Sequence, residues 1–202
     1  MAPTGTLEVE HAARRRPGGR SARVRAAVLG ATLEALVQGG YEALSIAEVA
    51  ARSGVHESTI YRRWGTKAGL VADALLTNSA QQRPTPDTGT FRGDLIETLR
   101  QVVAWLETPL GQATSRVVTA ADPALEEVRE AYWRDRLARA RPMIERAQAR
   151  GELPQAMDPD LLMEAAMGTL SLRRQRTGRL DPGLPEQIAD LLLGATRDAG
   201  SL

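Results

Sequence analysis

The sequence contains no cysteine, only two histidines and no long run of apolar residues. The missing cysteine excludes disulfides, thiolate nucleophiles and cysteine-based metal sites. Without a long apolar run or a signal-peptide pattern, we expect a soluble cytoplasmic protein that does not enter a membrane. His11 falls in a segment without apolar periodicity and His56 in a basic motif, so no metal-ligand cluster is predicted. We therefore expect no catalytic residue, no metal, no cofactor and no enzymatic activity.

Positive charge is concentrated near the N-terminus, although the whole chain carries a net charge of only +1. Residues 11–67 hold ten Lys or Arg and four Glu, a net charge of +6, whereas residues 80–202 carry a net charge of −2. A basic head on a near-neutral body is typical of a nucleic-acid-binding protein with a second function. Residues 1–19 lack periodic apolar positions and are predicted to form a disordered basic arm, which either is solvated or lies along a DNA minor groove.

Residues 45–67 have the pattern of two short helices joined by a glycine turn. Ser45 and Glu48 have the spacing of a capping box at the start of the first helix, and Gly54 stands where that helix must end. The second helix is expected over residues 57–64. Its exposed side carries polar groups suited to base edges and phosphates: Glu57, Ser58, Thr59, Arg62 and Arg63. The segment therefore predicts a helix-turn-helix whose second helix reads DNA.

Within this segment, Ser53-Gly54-Val55 is followed by Thr59-Ile60-Tyr61 and then by Trp64 and Lys67. A glycine turn, two aromatic residues three positions apart and a lysine at this offset form a specific combination. It resembles the signature of the tetracycline-repressor (TetR) family of bacterial transcription regulators. The motif-level resemblance covers residues 20 to about 76, and beyond them only the architecture is similar.

The resemblance implies which residues contact DNA. Positions equivalent to Ser45, Tyr61 and Lys67 contact phosphates, which fixes the register of the protein without reading sequence. Base reading would then fall to Glu57, Ser58, Thr59, Arg62 and Arg63. For the two arginines, either a bidentate pair with guanine or contact with phosphates alone fits the sequence.

Caps and periodic apolar residues predict helices along the rest of the chain and no strand. We expect them at about residues 21–38, 66–82, 90–109, 110–120, 123–150, 159–177 and 182–200. Pro142 lies inside one of them, so a kink or break is expected near residues 138–141. The predicted fold class is all-α, with an N-terminal three-helix helix-turn-helix DNA-binding domain (20–66) and a C-terminal helical effector-binding and dimerisation domain (67–202).

The last two predicted helices, at about residues 159–177 and 182–199, are apolar over wide faces. Packing within one chain accounts for any single apolar residue there. The small residues Ala165, Ala166 and Gly168 nevertheless permit a second helix to approach closely, and one reading helix alone covers too few base pairs for specificity. The family resemblance implies a two-fold homodimer in which these two helices of each subunit form a four-helix bundle.

The second function is expected to be the sensing of a small molecule between the C-terminal helices. Large apolar residues at helical spacing form a core more often than a pocket, although methionine favours irregular cavities that accept apolar or amphipathic molecules. The candidates to line such a cavity are Leu99, Val103, Trp105, Leu106, Tyr132, Trp133, Met143, Met163 and Met167.

These patterns together predict a ligand-responsive repressor that binds a palindromic operator in double-stranded DNA as a homodimer. A small apolar or amphipathic effector would release it from the operator. The alternative is an architectural or accessory DNA-binding protein without an effector. A C-terminal domain with no enclosed cavity would favour that alternative.

Overall fold

The computed structural model of the chain describes residues 18–82 and 85–199, with the side chains of residues 19–79 and 85–194. Over these residues the chain forms nine α-helices and one short 3-10 helix, Pro123–Leu125, and no strand. The α-helices are α1 (Gly18–Ala43), α2 (Ile46–Ser53), α3 (Glu57–Trp64), α4 (Lys67–Gln82), α5 (Phe91–Leu106), α6 (Pro109–Thr119), α7 (Glu126–Ala149), α8 (Pro159–Thr177) and α9 (Leu184–Ala199). The all-α prediction is confirmed. Residues 1–17 of the predicted arm lie outside the described residues, while Gly18 and Gly19 belong to α1.

The first three helices form the helix-turn-helix head that the sequence predicts. Gly40, with φ of 74°, interrupts α1 close to its end, two residues beyond the end predicted at about residue 38. Gly54 closes α2 in the left-handed conformation that only glycine adopts easily. Ser45 caps α2 by accepting a hydrogen bond from the Glu48 backbone N–H at 3.1 Å. The Glu48 carboxylate accepts a hydrogen bond from Arg52 at 2.6 Å instead of returning one to Ser45, so only half of the predicted capping box forms.

Two apolar clusters hold the chain together, and the first of them extends well beyond the head. It contains buried residues of α1, α2, α3 and α4, together with buried residues of α6 and the first half of α7. The second cluster lies among α5, the second half of α7, α8 and α9. Packing is therefore continuous across residues 66 and 67, where we placed the boundary between domains. The limits 20–66 and 67–202 stay a prediction.

Three prolines begin or cross helices differently from what the sequence indicated. Helix α7 runs through Pro142, so the break that we considered does not form, while a kink there stays a prediction. The two residues after the exposed proline, Met143 and Ile144, are fully buried in the second cluster and hold the helix in place. Pro109 begins α6 after the Thr108 cap and does not close α5. Pro123 begins the 3-10 helix, which precedes the start of α7 at Glu126.

The carboxylate of Asp73 joins α4 to two helices of the head. It accepts hydrogen bonds from the indole Nε1 of Trp64 at 2.8 Å and from Arg25 Nε at 3.2 Å, and a second guanidinium nitrogen of Arg25 completes the ion pair. Thr77 adds a hydroxyl contact at 3.3 Å. Burial alone would raise the pKa of Asp73, but the hydrogen bonds from Trp64 and Arg25 hold it below its ordinary value. The network ties α1 and the end of α3 to α4.

Replacing this carboxylate should therefore destabilise the fold. We expect Asp73→Asn to lower the free energy of unfolding by about 1–2 kcal/mol at neutral pH, since Arg25 loses its charged partner. The folded-state pKa of Asp73 is depressed, so its contribution is complete above the carboxyl pKa of the unfolded chain and disappears as the pH falls through the folded value. Urea unfolding across a pH series should show the difference from wild type narrowing in acid. A difference independent of pH would contradict this assignment, and Glu145→Gln, on the exposed face of α7, is the matched control.

Candidate DNA interface and internal cavity

Helix α3 presents a polar face to solvent. Its opposite side is held by Ile60, which is fully buried, and by the half-buried Trp64. The predicted contact residues Glu57, Ser58, Tyr61, Arg62 and Arg63 are exposed, whereas Thr59 is half-buried. Tyr61 keeps 50% of its surface exposed. An exposed row of hydroxyl, carboxylate and guanidinium groups is what a helix needs to reach base edges in a major groove.

The two arginines of α3 are placed differently, which the sequence did not indicate. The Arg63 guanidinium lies 5.3 Å from the centroid of the Trp64 ring, and its Nη1 lies 3.5 Å from the Ser21 hydroxyl at the start of α1. Arg63 therefore turns toward the flank of the head. Arg62 is on the outer side of the same helix, next to Ser58 by helical spacing.

Two helix starts near this face carry polar groups. Ser45 is exposed, and its hydroxyl caps α2 while keeping its own proton to donate. His56 precedes α3 and makes no side-chain cap hydrogen bond. No side chain therefore caps the first turn of α3, although the Thr59 amide donates to the His56 backbone oxygen at 2.9 Å. The helix dipole at this end favours an anion such as a phosphate.

Lys67 begins α4 at the junction of head and body. Its ammonium donates to the backbone oxygen of Tyr41 at 3.0 Å and lies 4.3 Å from the centroid of the Tyr41 ring. The Tyr41 hydroxyl in turn lies 3.4 Å from the backbone oxygen of Ala124, in the 3-10 helix of the body. Burial, followed by the charges of Glu42 and Asp122, raises the pKa of Tyr41, so this hydroxyl remains a donor. Sequence analysis did not single out Tyr41, because its partner is 83 residues away.

A cavity of about 360 Å³ lies between α6, α7 and α8. Its walls are formed by Val118, Thr119, Trp133, Arg136, Leu137, Met163, Glu164, Met167, Gly168 and Ser171. A smaller space of about 40 Å³ adjoins it and reaches Val102, Trp105, Leu106 and Tyr132. The larger cavity is of the size that drug-like molecules occupy, and most of its walls are apolar.

The structure places the predicted cavity residues in two groups. Six of them line the cavity or the adjoining space: Trp105, Leu106, Tyr132, Trp133, Met163 and Met167. Leu99 and Met143 are fully buried in the second cluster, and Val103 packs against that cluster from a half-buried position. These three side chains are not among those lining the cavity. Helical spacing alone did not separate the two groups, because both lie on inward-facing sides of their helices.

The cavity also carries two charged side chains that the search for apolar residues missed. Arg136 of α7 is half-buried, and its Nη1 lies 3.5 Å from the hydroxyl of the buried Ser79 in α4. Glu164 of α8 is exposed and borders both the cavity and an open groove on α8. The contact between Arg136 and Ser79 connects the cavity wall to the helix that follows the head.

Within residues 18–82 and 85–199, no three side chains of His, Asp or Glu come together as a group that could hold a metal ion. No helix of the same residues is long and apolar enough to cross a membrane.

An exposed polar helix in a capped helix-turn-helix, carried by a larger helical body, defines a DNA-binding protein of the helix-turn-helix class. Residues 28–74 match the family model for bacterial regulatory proteins of the tetR family. Residues 85–192 match the model for the C-terminal domain of tetracyclin repressor-like proteins. The chain belongs to the TetR family of bacterial transcription regulators. It is accordingly a DNA-binding regulator and not an enzyme, as the sequence predicted.

Individual relatives agree with this assignment along most of the chain. The HTH-type transcriptional regulator AqdR of Rhodococcus erythropolis is 35% identical over 177 residues, which cover 86% of each protein. The DNA-binding transcriptional repressor TetR of Mycobacteroides abscessus is 31% identical over 172 residues, covering 83% of this chain and 90% of the relative. The crystal structure of the TetR family regulator SCO0332 superposes with a TM-score of 0.71 and 28% identity, covering 85% of this chain and 97% of that one.

Proposed function

We propose that this regulator is a repressor that binds a palindromic operator as a homodimer and leaves it when a small apolar or amphipathic effector fills the cavity between α6, α7 and α8. The observation that carries the proposal is the combination of the exposed face of α3 with a cavity whose wall contacts α4. The cavity supports this function over that of an architectural DNA-binding protein without an effector.

The DNA contacts divide into groups that position the protein and groups that read bases. Ser45, Tyr61 and Lys67 stand at helix starts or on the flank of α3, where they would contact phosphates. Arg63, held over the Trp64 ring and near α1, joins this positioning group. The base readers are then Glu57, Ser58, Thr59 and Arg62. Arg62 is the member suited to a bidentate pair with guanine.

The proposed dimer surface is the open face of α8 and α9. Leu161 and Leu172 of α8 are 61% and 64% exposed, and Leu191 of α9 is 67% exposed. Ala165 and Gly168 lie between the two leucines of α8, so a partner helix can approach closely along the same ridge. The other side of α9 is fixed to α5 by ion pairs from Arg92 to Asp190 and from Arg100 to Glu186. Exposed leucines on anchored helices fit a two-fold interface with a second copy.

Release from DNA requires that the effector favour a dimer whose reading helices no longer match the operator. Shifting an equilibrium from 1:99 to 99:1 takes roughly 5.5 kcal/mol of differential affinity. Helix α4 is the proposed lever, because it packs with the head and also contacts the cavity wall through Ser79 and Arg136.

A charged side chain introduced on the proposed dimer surface tests whether that surface forms the interface. Leu172→Glu should give a monomer that no longer protects an operator, because a buried carboxylate without a partner opposes association. Sedimentation velocity and footprinting of wild type should show a dimer and a symmetric protected site whose halves are one helical turn apart, about 34–36 Å. Ala104→Glu, on the exposed side of α5, is the control that adds the same charge elsewhere. A Leu172→Glu protein that stays dimeric would place the interface on another surface.

The division of DNA contacts predicts two kinds of binding defect. Lys67→Ala and Arg63→Ala should weaken binding to specific and random DNA alike, and each should lower the slope of log affinity against log salt by about one. Arg62→Ala should instead relax the preference at one base pair per half-site, at a cost of roughly 1–3 kcal/mol for the preferred base. Fluorescence anisotropy with operator variants at several salt concentrations measures both quantities. The same uniform loss in all three variants would refute the assignment of Arg62.

The effector response should depend on Met167, which lines both the cavity and the adjoining space. Met167→Trp should fill the site and blunt the loss of operator affinity caused by an effector found in a thermal-shift screen. Operator binding without effector should remain, since this side chain is in the body. Met167→Leu conserves the volume and should keep the response. A Met167→Trp protein that responds fully to effector would show that the effector binds elsewhere.

A further inference from the structure

Lys67 differs from the paired cations of the head. Arg25 forms an ion pair with Asp73, and Arg52 forms one with Glu48. Within the parts of the chain that the structure describes, no carboxylate pairs with Lys67. A carboxylate would compete with a phosphate for the ammonium, because both are anions. Lys67 therefore keeps a charge that DNA can neutralise.

Tyr41 holds this ammonium through neutral groups instead. Its backbone oxygen accepts a hydrogen bond from Lys67 Nζ at 3.0 Å, and the centroid of its ring lies 4.3 Å from the same atom. The oxygen belongs to the last turn of α1, whose carbonyls have no partner within the helix and attract a cation. The face of the ring carries negative potential, so it attracts a cation as well. Neither contact cancels the charge of the lysine.

These contacts order the Lys67 side chain without using all of its donors. An ammonium has three N–H groups, and the Tyr41 carbonyl takes one of them. Lys67 is half-buried, so it also keeps part of its surface in contact with solvent. A flexible lysine loses rotamer freedom when it meets a phosphate, whereas a lysine that is already held loses less.

Arg63, the other cation that we place at a phosphate, is held in a similar way. Its guanidinium lies 5.3 Å from the centroid of the Trp64 ring and 3.5 Å from the Ser21 hydroxyl. Both of these groups are neutral. A ring and a neutral oxygen thus hold each of the two proposed phosphate contacts, whereas carboxylates hold Arg25 and Arg52.

We propose that Tyr41 is a positioning residue for DNA binding, which holds the Lys67 ammonium in place for a phosphate without neutralising it. This inference rests on the proposed phosphate contact of Lys67. The ring of Tyr41 has this role, because its face meets the ammonium. The hydroxyl has a separate contact, with the backbone oxygen of Ala124 at 3.4 Å. Tyr41→Phe therefore removes only the hydroxyl contact, and Tyr41→Leu removes the ring as well.

The experiment measures binding of the full-length protein to a labelled duplex of random sequence, because a phosphate contact acts on any sequence. Tyr41→Leu should weaken binding about fivefold, since the phosphate alone must then order the lysine. The slope of log affinity against log salt should not change, because the charge of Lys67 remains. Tyr41→Phe retains the ring and should bind as wild type does.

A double substitution separates this role from a general effect on the fold. In the Lys67→Ala protein, Tyr41→Leu should cause no further loss of affinity, because no ammonium remains to be held. Val37→Ala is the matched control, since Val37 and Tyr41 both pack against the first apolar cluster from half-buried positions. It should lower the thermal stability but leave DNA binding unchanged at a temperature where the variant is folded.

Three results would overturn the proposal: a Tyr41→Leu protein that binds as tightly as wild type or more tightly, an equal loss in the Lys67→Ala protein, or a Tyr41→Phe protein that binds as weakly as Tyr41→Leu. Lys67→Ala alone tests the proposed phosphate contact. An unchanged salt slope in that variant would refute the contact, and with it the role of Tyr41. A slope lowered by about one, together with any of the three results, would refute only the role of Tyr41.

Discussion

Helix α4 is packed on the reading head and on the body at the same time, and this double attachment constrains the whole molecule. Its buried residues belong to one apolar cluster with α1 and α2 on the head side and with α6 and α7 on the body side. Asp73 adds a polar connection from α4 to α1 and α3 through Arg25 and Trp64. Close-packed interfaces deform little, so a displacement of the body moves the head with it. The release mechanism that we propose depends on such stiffness.

Polar contacts at the two ends of α4 add to the apolar packing between the head and the body. On one side, Lys67 is held by Tyr41, whose hydroxyl reaches Ala124 in the 3-10 helix between α6 and α7. On the other side, Ser79 at the far end of α4 meets Arg136 on the cavity wall. Both sets of contacts reach residues of α7 or of the segment before it, so a movement of α6 or α7 would alter them. In the mechanism we propose, one end of α4 therefore senses the cavity while the other end orients the lysine that would contact a phosphate.

Features fixed by short-range bonding were predictable from the sequence, whereas those fixed by distant packing were not. Ser45 and Thr90 each accept a backbone hydrogen bond from three residues ahead, so a local pattern was enough to place the starts of α2 and α5. Pro142 does not break α7, whose next two residues are packed in the second cluster. Leu99 and Met167 have similar sequence signals, yet one is core and the other lines the cavity. That difference depends on which helices lie opposite, which spacing along one helix does not encode.

Helix α8 has three different sides, and their arrangement links the proposed effector site to the proposed interface. Leu162 and Ala166 are buried in the second cluster, Met163 and Met167 line the cavity, and the outermost side is exposed. The cavity wall and the open groove of α8 share residues at their common edge, Glu164 and Gly168. A molecule in the cavity and the partner subunit of the dimer we propose would thus contact adjacent sides of α8. Because Gly168 has no side chain, no side chain at this position separates the cavity from the proposed interface. A small rotation of α8 around its buried side would therefore change both the cavity and the angle at which the two subunits meet.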